Sequence, residues 1–303
     1  MSRRRKPGKT LDVVQRLQQR VAEGDYYEAL QLYKTSYSRF KAQGKLDDAE
    51  ELLVTGAIAM SQEKELNAAT ELGMLILTSF EEHGRECDAT RLEMLKRVAE
   101  FMSPGVEMFE FLKRAVRWTK KSQEPGAYEL RLILARSMLA TGRLGDAARY
   151  LAIAGRPDEY ASLVKQWAEK GYRGEVDLFV CRAVLYTLSC RRSEDAEELQ
   201  TVATSLLEES ASGEAGNGGA LDSPLCHFTS FVVELCRAAD KAGSASFEMV
   251  TTFRALRKAY EPSLNRDPNF DDMLNRIGNI YFGIKPPQSE GFMGMLEQLV
   301  GGM

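Results

Sequence analysis

Histidine is almost missing from this 303-residue chain: His83 and His227 are the only two. Two lone rings leave little from which to build a histidine metal centre or a Ser-His-Asp triad. Cysteine is sparse as well. Cys87, Cys181, Cys190, Cys226 and Cys236 form no CxxC pair and no even framework, so they are expected as reduced, mostly buried thiols of a cytosolic protein. No apolar run approaches the ~18–20 residues needed to cross a bilayer. The start, MSRRRKPGKT, is basic but has no apolar stretch of the secretory kind. Residues 1–10 are expected as a disordered basic tail, with a nuclear-import or nucleic-acid tag as the alternative. Prolines number only 9 and sit mostly at segment edges, which suits long helices.

A nucleophile is equally hard to find. Cys226 and His227 adjoin in sequence, but neighbours on a helix point ~100° apart and cannot face each other. The carboxylates gather in stretches such as Asp47-Asp48-x-Glu50-Glu51, which is a solvated helix start. Nothing sets one acid in an apolar pocket beside another. No enzyme, no cofactor and no metal site are expected.

What is present is apolar surface in helical register. Hydrophobic residues make up 44% of the chain and charged residues 28%, with a mean hydropathy of −0.32. One pattern recurs. Ala22/Gly24/Glu28/Ala29 returns as Ala42/Gly44/Asp48/Ala49 and as Ala140/Gly142/Asp146/Ala147. Each copy lies where one amphipathic run stops and the next begins. The glycine takes the left-handed turn past a helix end. The acid meets the positive pole of the next helix, and the alanine lets that helix lie close. A recurring joint marks stacked helix pairs. The predicted fold is all-α, a tetratricopeptide-like α-solenoid of stacked antiparallel helix pairs.

Along the chain, stripes such as Leu11/Val14/Leu17/Val21 and Tyr27/Leu30/Tyr33/Tyr37 follow helical spacing without β-branched alternation. Asp88 is a candidate N-cap and Pro157 a first helical residue. The helices after Gly142 are expected to be shorter than those before it. Ser210–Ser223, SASGEAGNGGALDS, is the one low-complexity stretch. No strand precedes it and no Gly-Lys-Ser/Thr follows, so it is a flexible loop rather than a phosphate loop.

Charge alternates in blocks. Residues 1–45 carry 11 basic and 4 acidic side chains, 46–110 carry 5 and 15, 111–192 carry 16 and 8, and 193–303 carry 8 and 17. Such blocks are expected to form patches that steer partners, and they argue against the continuous basic stripe of a duplex-DNA binder. The last stretch holds two stripes, Phe270/Leu274/Ile277/Tyr281 and Phe292/Met295/Leu296/Leu299, separated by Pro286-Pro287. Such a segment is either a cap on its own array or an adaptable docking strip.

Several of these residues carry a resemblance. Leu17-Gln18, Glu23-Gly24-Asp25-Tyr26-Tyr27-Glu28-Ala29, Gly56-Ala57, Asp146-Ala147-Ala148-Arg149-Tyr150, Tyr281-Phe282-x-Ile284-x-Pro286 and Gly291-Phe292 through Gly302 occur in order. With them the chain resembles the Golgi-to-ER traffic protein four family, the cytosolic scaffold of tail-anchored membrane-protein insertion. Ser210–Ser223 is not matched.

The resemblance implies a scaffold without catalysis. It implies that residues 11–155 dock on a dimeric targeting ATPase and that 156–303 grip a ubiquitin-like-domain adaptor, which recruits the co-chaperone carrying the client. Client transfer then follows from raised effective concentration and from differential affinity for the ATPase's nucleotide states. Arg16 and Arg20, one turn apart, with Tyr26, Tyr27, Lys34 and Arg39, are the expected ATPase contacts, because Tyr and Arg dominate interfaces. The alternative places Tyr27 and Tyr33 in the core. For the adaptor the candidates are Phe231, Phe253, Phe270, Leu274, Tyr281, Phe282 and Phe292, and the resemblance tilts the tail from cap towards docking. Competing readings are a tetratricopeptide-type co-chaperone, for which no Lys/Asn/Arg clamp assembles, and a helical-repeat subunit of another cytosolic complex.

Overall fold

The structure is a computed structural model that describes residues 15–17, 19–122, 126–211 and 222–285. Among these residues every regular element is helical. The chain divides into two compact units, Met1–Ala154 and Gly155–Met303.

The first unit begins with helical residues 15–17 and 19–22 (α1), in which Leu17 and Val21 are buried. It continues with α2 (Tyr26–Ala42), α3 (Leu46–Gln62), α4 (Leu66–Glu82), α5 (Ala89–Phe101), α6 (Val106–Thr119), α7 (Tyr128–Ala140) and α8 (Leu144–Ala154). From α2 to α4 each helix packs on its sequence neighbour and on the next but one; α3 meets α5 and α4 meets α6. This is the packing of a solenoid, in which contacts stay local.

The joints explain why the sequence stacks this way. Gly24, Gly44 and Gly142 adopt φ of +83°, +68° and +75°. The next residue does two jobs at once. The Asp25 N–H donates back to the Arg20 carbonyl at 3.2 Å, and the Asp25 carbonyl accepts from the Ala29 N–H at 2.8 Å. Lys45 repeats this between Phe40 and Ala49, and Arg143 between Met138 and Ala147. One residue thus closes one helix and opens the next. Ala29, Ala49 and Ala147 are all fully buried.

Two further joints escape the sequence pattern because a side chain occupies the glycine position. Lys64 stands at φ +65° and Arg191 at φ +59°. The Glu65 N–H donates to the Met60 carbonyl at 2.9 Å, and the Glu65 carbonyl accepts from the Ala69 N–H at 3.0 Å. Turns at Gly24, Gly44, Lys64 and Gly84 therefore recur every 20 residues.

A different glycine sets the helix spacing. A Cβ on Gly56, inside α3, would come within 2.7 Å of the Tyr33 ring and 2.9 Å of a Leu72 methyl. The absent side chain is what lets α2 and α4 close on α3.

The second unit holds α9 (Pro157–Lys170), a 3₁₀ turn (Arg173–Glu175), α10 (Val176–Ser189), α11 (Ser193–Ala211), α12 (Pro224–Ala242), α13 (Phe247–Ala259), α14 (Glu261–Leu264) and α15 (Asn269–Phe282). Pro157 opens α9, as Asp88 caps α5 in the first unit by accepting from the Arg91 N–H at 2.8 Å. The expectation of shorter helices after Gly142 holds in part: α8, α9 and α10 have 11, 14 and 14 residues against 17 in α2, α3 and α4, but α11 and α12 have 19 each. α11 runs to Ala211, inside the expected loop 210–223, and Ser223 caps α12 through the Cys226 N–H at 3.3 Å. Residues 212–221 lie outside the described residues, as do residues 1–10.

Nearest-neighbour stacking breaks at the end of the chain. α15 returns to pack on α10 and α12, and its stripe of Phe270, Leu274, Ile277 and Tyr281 is buried there. This stripe is the cap of its own array rather than a docking strip. The reason is amphipathicity: a helix with one apolar face buries it on whatever apolar surface the array leaves open.

Charge alternation also has an internal use. Lys34 pairs with Glu71 and Lys41 with Glu82 at 2.7 Å, joining α2 to α4. Arg114 of α6 reaches Glu81 of α4 at 2.7 Å, and Arg97 of α5 reaches Glu51 of α3 at 2.9 Å. Many block charges are thus spent between neighbouring helices instead of forming free patches. Each such exposed pair contributes at most about 1 kcal/mol.

Candidate interaction surfaces

The N-terminal candidates separate into free and engaged groups. Arg20 is engaged: its guanidinium lies 3.5 Å from Glu23, 3.2 Å from Asp25 and 3.9 Å from Glu28. The Tyr26 hydroxyl donates to Glu63 at 3.4 Å, and desolvation together with that carboxylate raises the phenol's pKa. Lys34 is held by Glu71. Arg16 and Arg39 are exposed and make no ion pair among the described residues. Tyr27 is 75% exposed whereas Tyr33 is fully buried. Burial pushes the Tyr33 phenol up to about 12, so the two tyrosines have opposite roles.

On a helical wheel Tyr27, Gln31 and Ser38 share the solvent side of α2 with Leu32 and Arg39. Leu32, 43% exposed, is the member of this face that the sequence stripe does not reveal. An aromatic ring, an aliphatic side chain and an unpaired guanidinium on one helix are what a protein partner with an acidic, partly apolar surface can use.

In the second unit the candidates are mostly core. Phe253 and Phe270 are fully buried, Leu274 is 1% exposed, and Tyr281 and Phe282 are 6% exposed. The Phe253 and Phe282 rings pack with centroids 4.6 Å apart, tilted by 31°. Expected as free docking residues, these five are buried instead: Phe253 packs on Phe282, and Phe270, Leu274 and Tyr281 lie in the stripe that α15 buries on α10 and α12. Phe292 lies outside the described residues. Phe231 is 48% exposed. It forms an apolar groove of about 360 Å³ with Leu235 and Ala238 of α12 and Thr252 and Leu256 of α13. Phe247, at the start of α13, is 85% exposed.

Other chemistry is quiet. Burial pushes the thiols of Cys181, Cys226 and Cys236 upward, away from the thiolate a nucleophile needs. His227 turns to Asp222 at 2.8 Å in the open. Among the described residues no helix is long and apolar enough to cross a membrane.

Known proteins resemble this chain throughout its length. The family model described as Golgi to ER traffic protein 4 matches residues 43–300. A Golgi to ER traffic protein 4 homolog of Oryzias latipes is 32% identical over 95% of this chain and 86% of the relative. The Gallus gallus homolog is 33% identical over 95% and 84%, and the Homo sapiens homolog 31% over 94% and 84%. The crystal structure of C. therm. Get4 superposes with a TM-score of 0.81 at 26% identity, covering 98% of this chain and 97% of that one. An all-helical solenoid of this sequence therefore belongs to the Golgi to ER traffic protein 4 family.

Proposed function

We propose that the chain is a non-enzymatic scaffold that acts in the cytosol to target tail-anchored membrane proteins to the ER. It bridges a dimeric targeting ATPase to a ubiquitin-like-domain adaptor, and through it to the co-chaperone holding the client. The observation that carries this reading is that, among the described residues, each unit exposes apolar side chains: Tyr27 and Leu32 with Arg39 on α2 and Arg16 on α1, and the Phe231–Leu256 groove on α12 and α13. Family membership places the protein in Golgi-to-ER traffic; the assignment of the first surface to the ATPase and the second to the adaptor follows what the resemblance implies for the two halves of the chain.

The scaffold works by proximity. Holding both partners turns client transfer into an encounter at an effective concentration of about millimolar. Preference for one nucleotide state of the ATPase arises if the α2 face fits that state better than the other.

The test is a pull-down from purified components. Arg16→Glu with Arg39→Glu is expected to release the ATPase and keep the adaptor. Phe231→Glu is expected to do the reverse. Loss of both partners by either variant, with the fold intact, would contradict the division of labour.

A further inference from the structure

Residues 111–154 of the first unit hold nine basic side chains and three acidic ones. A stretch with that balance cannot pair all its cations within itself. Of the three acids, Asp146 is taken by Arg143 at 2.6 Å, and Glu124 lies outside the described residues. Arg114 finds its partner on another helix, Glu81 of α4 at 2.7 Å. Lys113, Arg117, Lys121 and Arg149 find none: all four are exposed and make no ion pair among the described residues.

Three of these cations form a line. Lys113 and Arg117 stand about one turn apart on α6, ~6 Å along its axis, and Lys121 continues the line just beyond Thr119. On a helical wheel they lie away from the buried Phe111, Leu112, Ala115 and Val116. Arg149 is on α8, whose leading turn touches α6 where Arg143 lies over the Phe109 ring at 5.3 Å. The negative pole of α6 accounts for Arg117 in the last turn. It does not account for Lys113, further inside the helix, or for Arg149 on another helix. Glu110 is the one exposed acid of α6.

Elsewhere in the same unit such cations are met by a helix lying alongside. Lys34 and Lys41 of α2 are paired by Glu71 and Glu82 of α4. On α6 the line of one cation per turn faces solvent instead. Other polyanions match it less well. A lipid surface uses apolar side chains among the bases, a single nucleic-acid strand uses aromatic rings on which its bases stack, and a duplex uses a longer basic stripe. The α6 line spans only ~12 Å, and no large apolar or aromatic side chain is exposed between Lys113 and Lys121.

We infer that Lys113, Arg117 and Lys121, with Arg149 of α8, bind an acidic helical segment of a partner protein that carries Asp or Glu at i, i+4 and i+8. The surface is distinct from the α2 face and from the Phe231 groove, and it stands whether or not those two are assigned correctly.

Exposed ion pairs are weak singly, so the test is an NMR titration of the full chain, which reads weak binding residue by residue. The probe is a synthetic alanine-based helical peptide with glutamate at i, i+4 and i+8; its twin carries glutamine there. The glutamate peptide is expected to shift the amide signals of α6 and α8 and to weaken as salt rises, while the twin shifts nothing. Lys113→Glu with Arg117→Glu is expected to weaken binding by ~tenfold or more, and Lys113→Gln with Arg117→Gln by less. Arg254→Glu with Lys258→Glu makes the same charge change at exposed positions of α13 and should leave binding intact. Equal binding of the twin, or equal loss in the α6 and α13 variants, would overturn the inference. So would tighter binding of phosphatidylserine vesicles or of oligothymidylate that is lost in the α6 variant, since that places a different class of partner on the line.

Discussion

Arg182 on α10 meets the carboxylate of Asp267, which is 3% exposed, at 2.7 Å, and the residue before it, Arg266, returns to Asp177 of α10 at 2.6 Å. Two crossed ion pairs therefore fasten the turn between α14 and α15 to the central helix of the second unit. Local stacking does not provide this contact, because the partners are 85 and 89 residues apart.

Arg182→Met is expected to lower stability by about 2 kcal/mol, between the value of an exposed pair and that of a fully buried one. Burial alone would raise the Asp267 carboxyl, but the Asn269 N–H and amide together with Arg182 outweigh it and hold the group below its ordinary value. A depressed folded pKa stabilises the fold at pH above the unfolded value of about 3.9, and this contribution is lost as pH falls through the folded value. Thermal melts between pH 7 and pH 2 should show a smaller acid-limb loss in Asp267→Asn than in the parent.

Lys64→Gly and Arg191→Gly should each stabilise the chain by about 1 kcal/mol, because a left-handed φ is strained for any side chain. Gly44→Ala should cost a similar amount; nothing lies within 4 Å of the new Cβ, so the cost is conformational alone. Gly56→Ala should cost about 1–3 kcal/mol for the opposite reason, collision with Tyr33 and Leu72 at ordinary backbone angles. Urea denaturation distinguishes the two mechanisms by sign and size.

Tyr27→Ala is expected to weaken ATPase binding by about 2 kcal/mol while shifting stability by less than about 0.5 kcal/mol. Arg20→Ala should affect binding less than Arg39→Ala, because Arg20 is already held by three carboxylates. Calorimetric titration at two salt concentrations checks both, with the Arg39 contribution shrinking at high salt.

Thiol-specific labelling of the native chain should modify Cys87 and Cys190 before Cys181 and Cys236, which are fully buried. Labelling of the buried pair should follow global unfolding.

The helical class, the stacking and three joints were legible because glycine, acid and alanine each answer one local physical demand. The joints at Lys64 and Arg191 were not, since only backbone angles reveal a side chain placed where glycine is favoured. Periodicity identified Phe270, Leu274 and Tyr281 as one stripe, but a stripe does not say what covers it. Only the return of α15 to α10 shows that the chain covers it itself. Charge blocks misled similarly: sequence counts charges, whereas Lys34–Glu71 and Arg114–Glu81 are tertiary choices. Phe231 is left half-exposed, whereas Phe228 and Val232 of the same stripe are buried.

On the proposed reading, one chain holds two different partners on two separate surfaces. Size-exclusion chromatography with light scattering on purified chain, targeting ATPase and adaptor tests it most directly. One ternary complex is expected, reduced to the adaptor pair by Arg16→Glu/Arg39→Glu and to the ATPase pair by Phe231→Glu. Mutually exclusive binding, in which adding the adaptor displaces the ATPase, would contradict the claim.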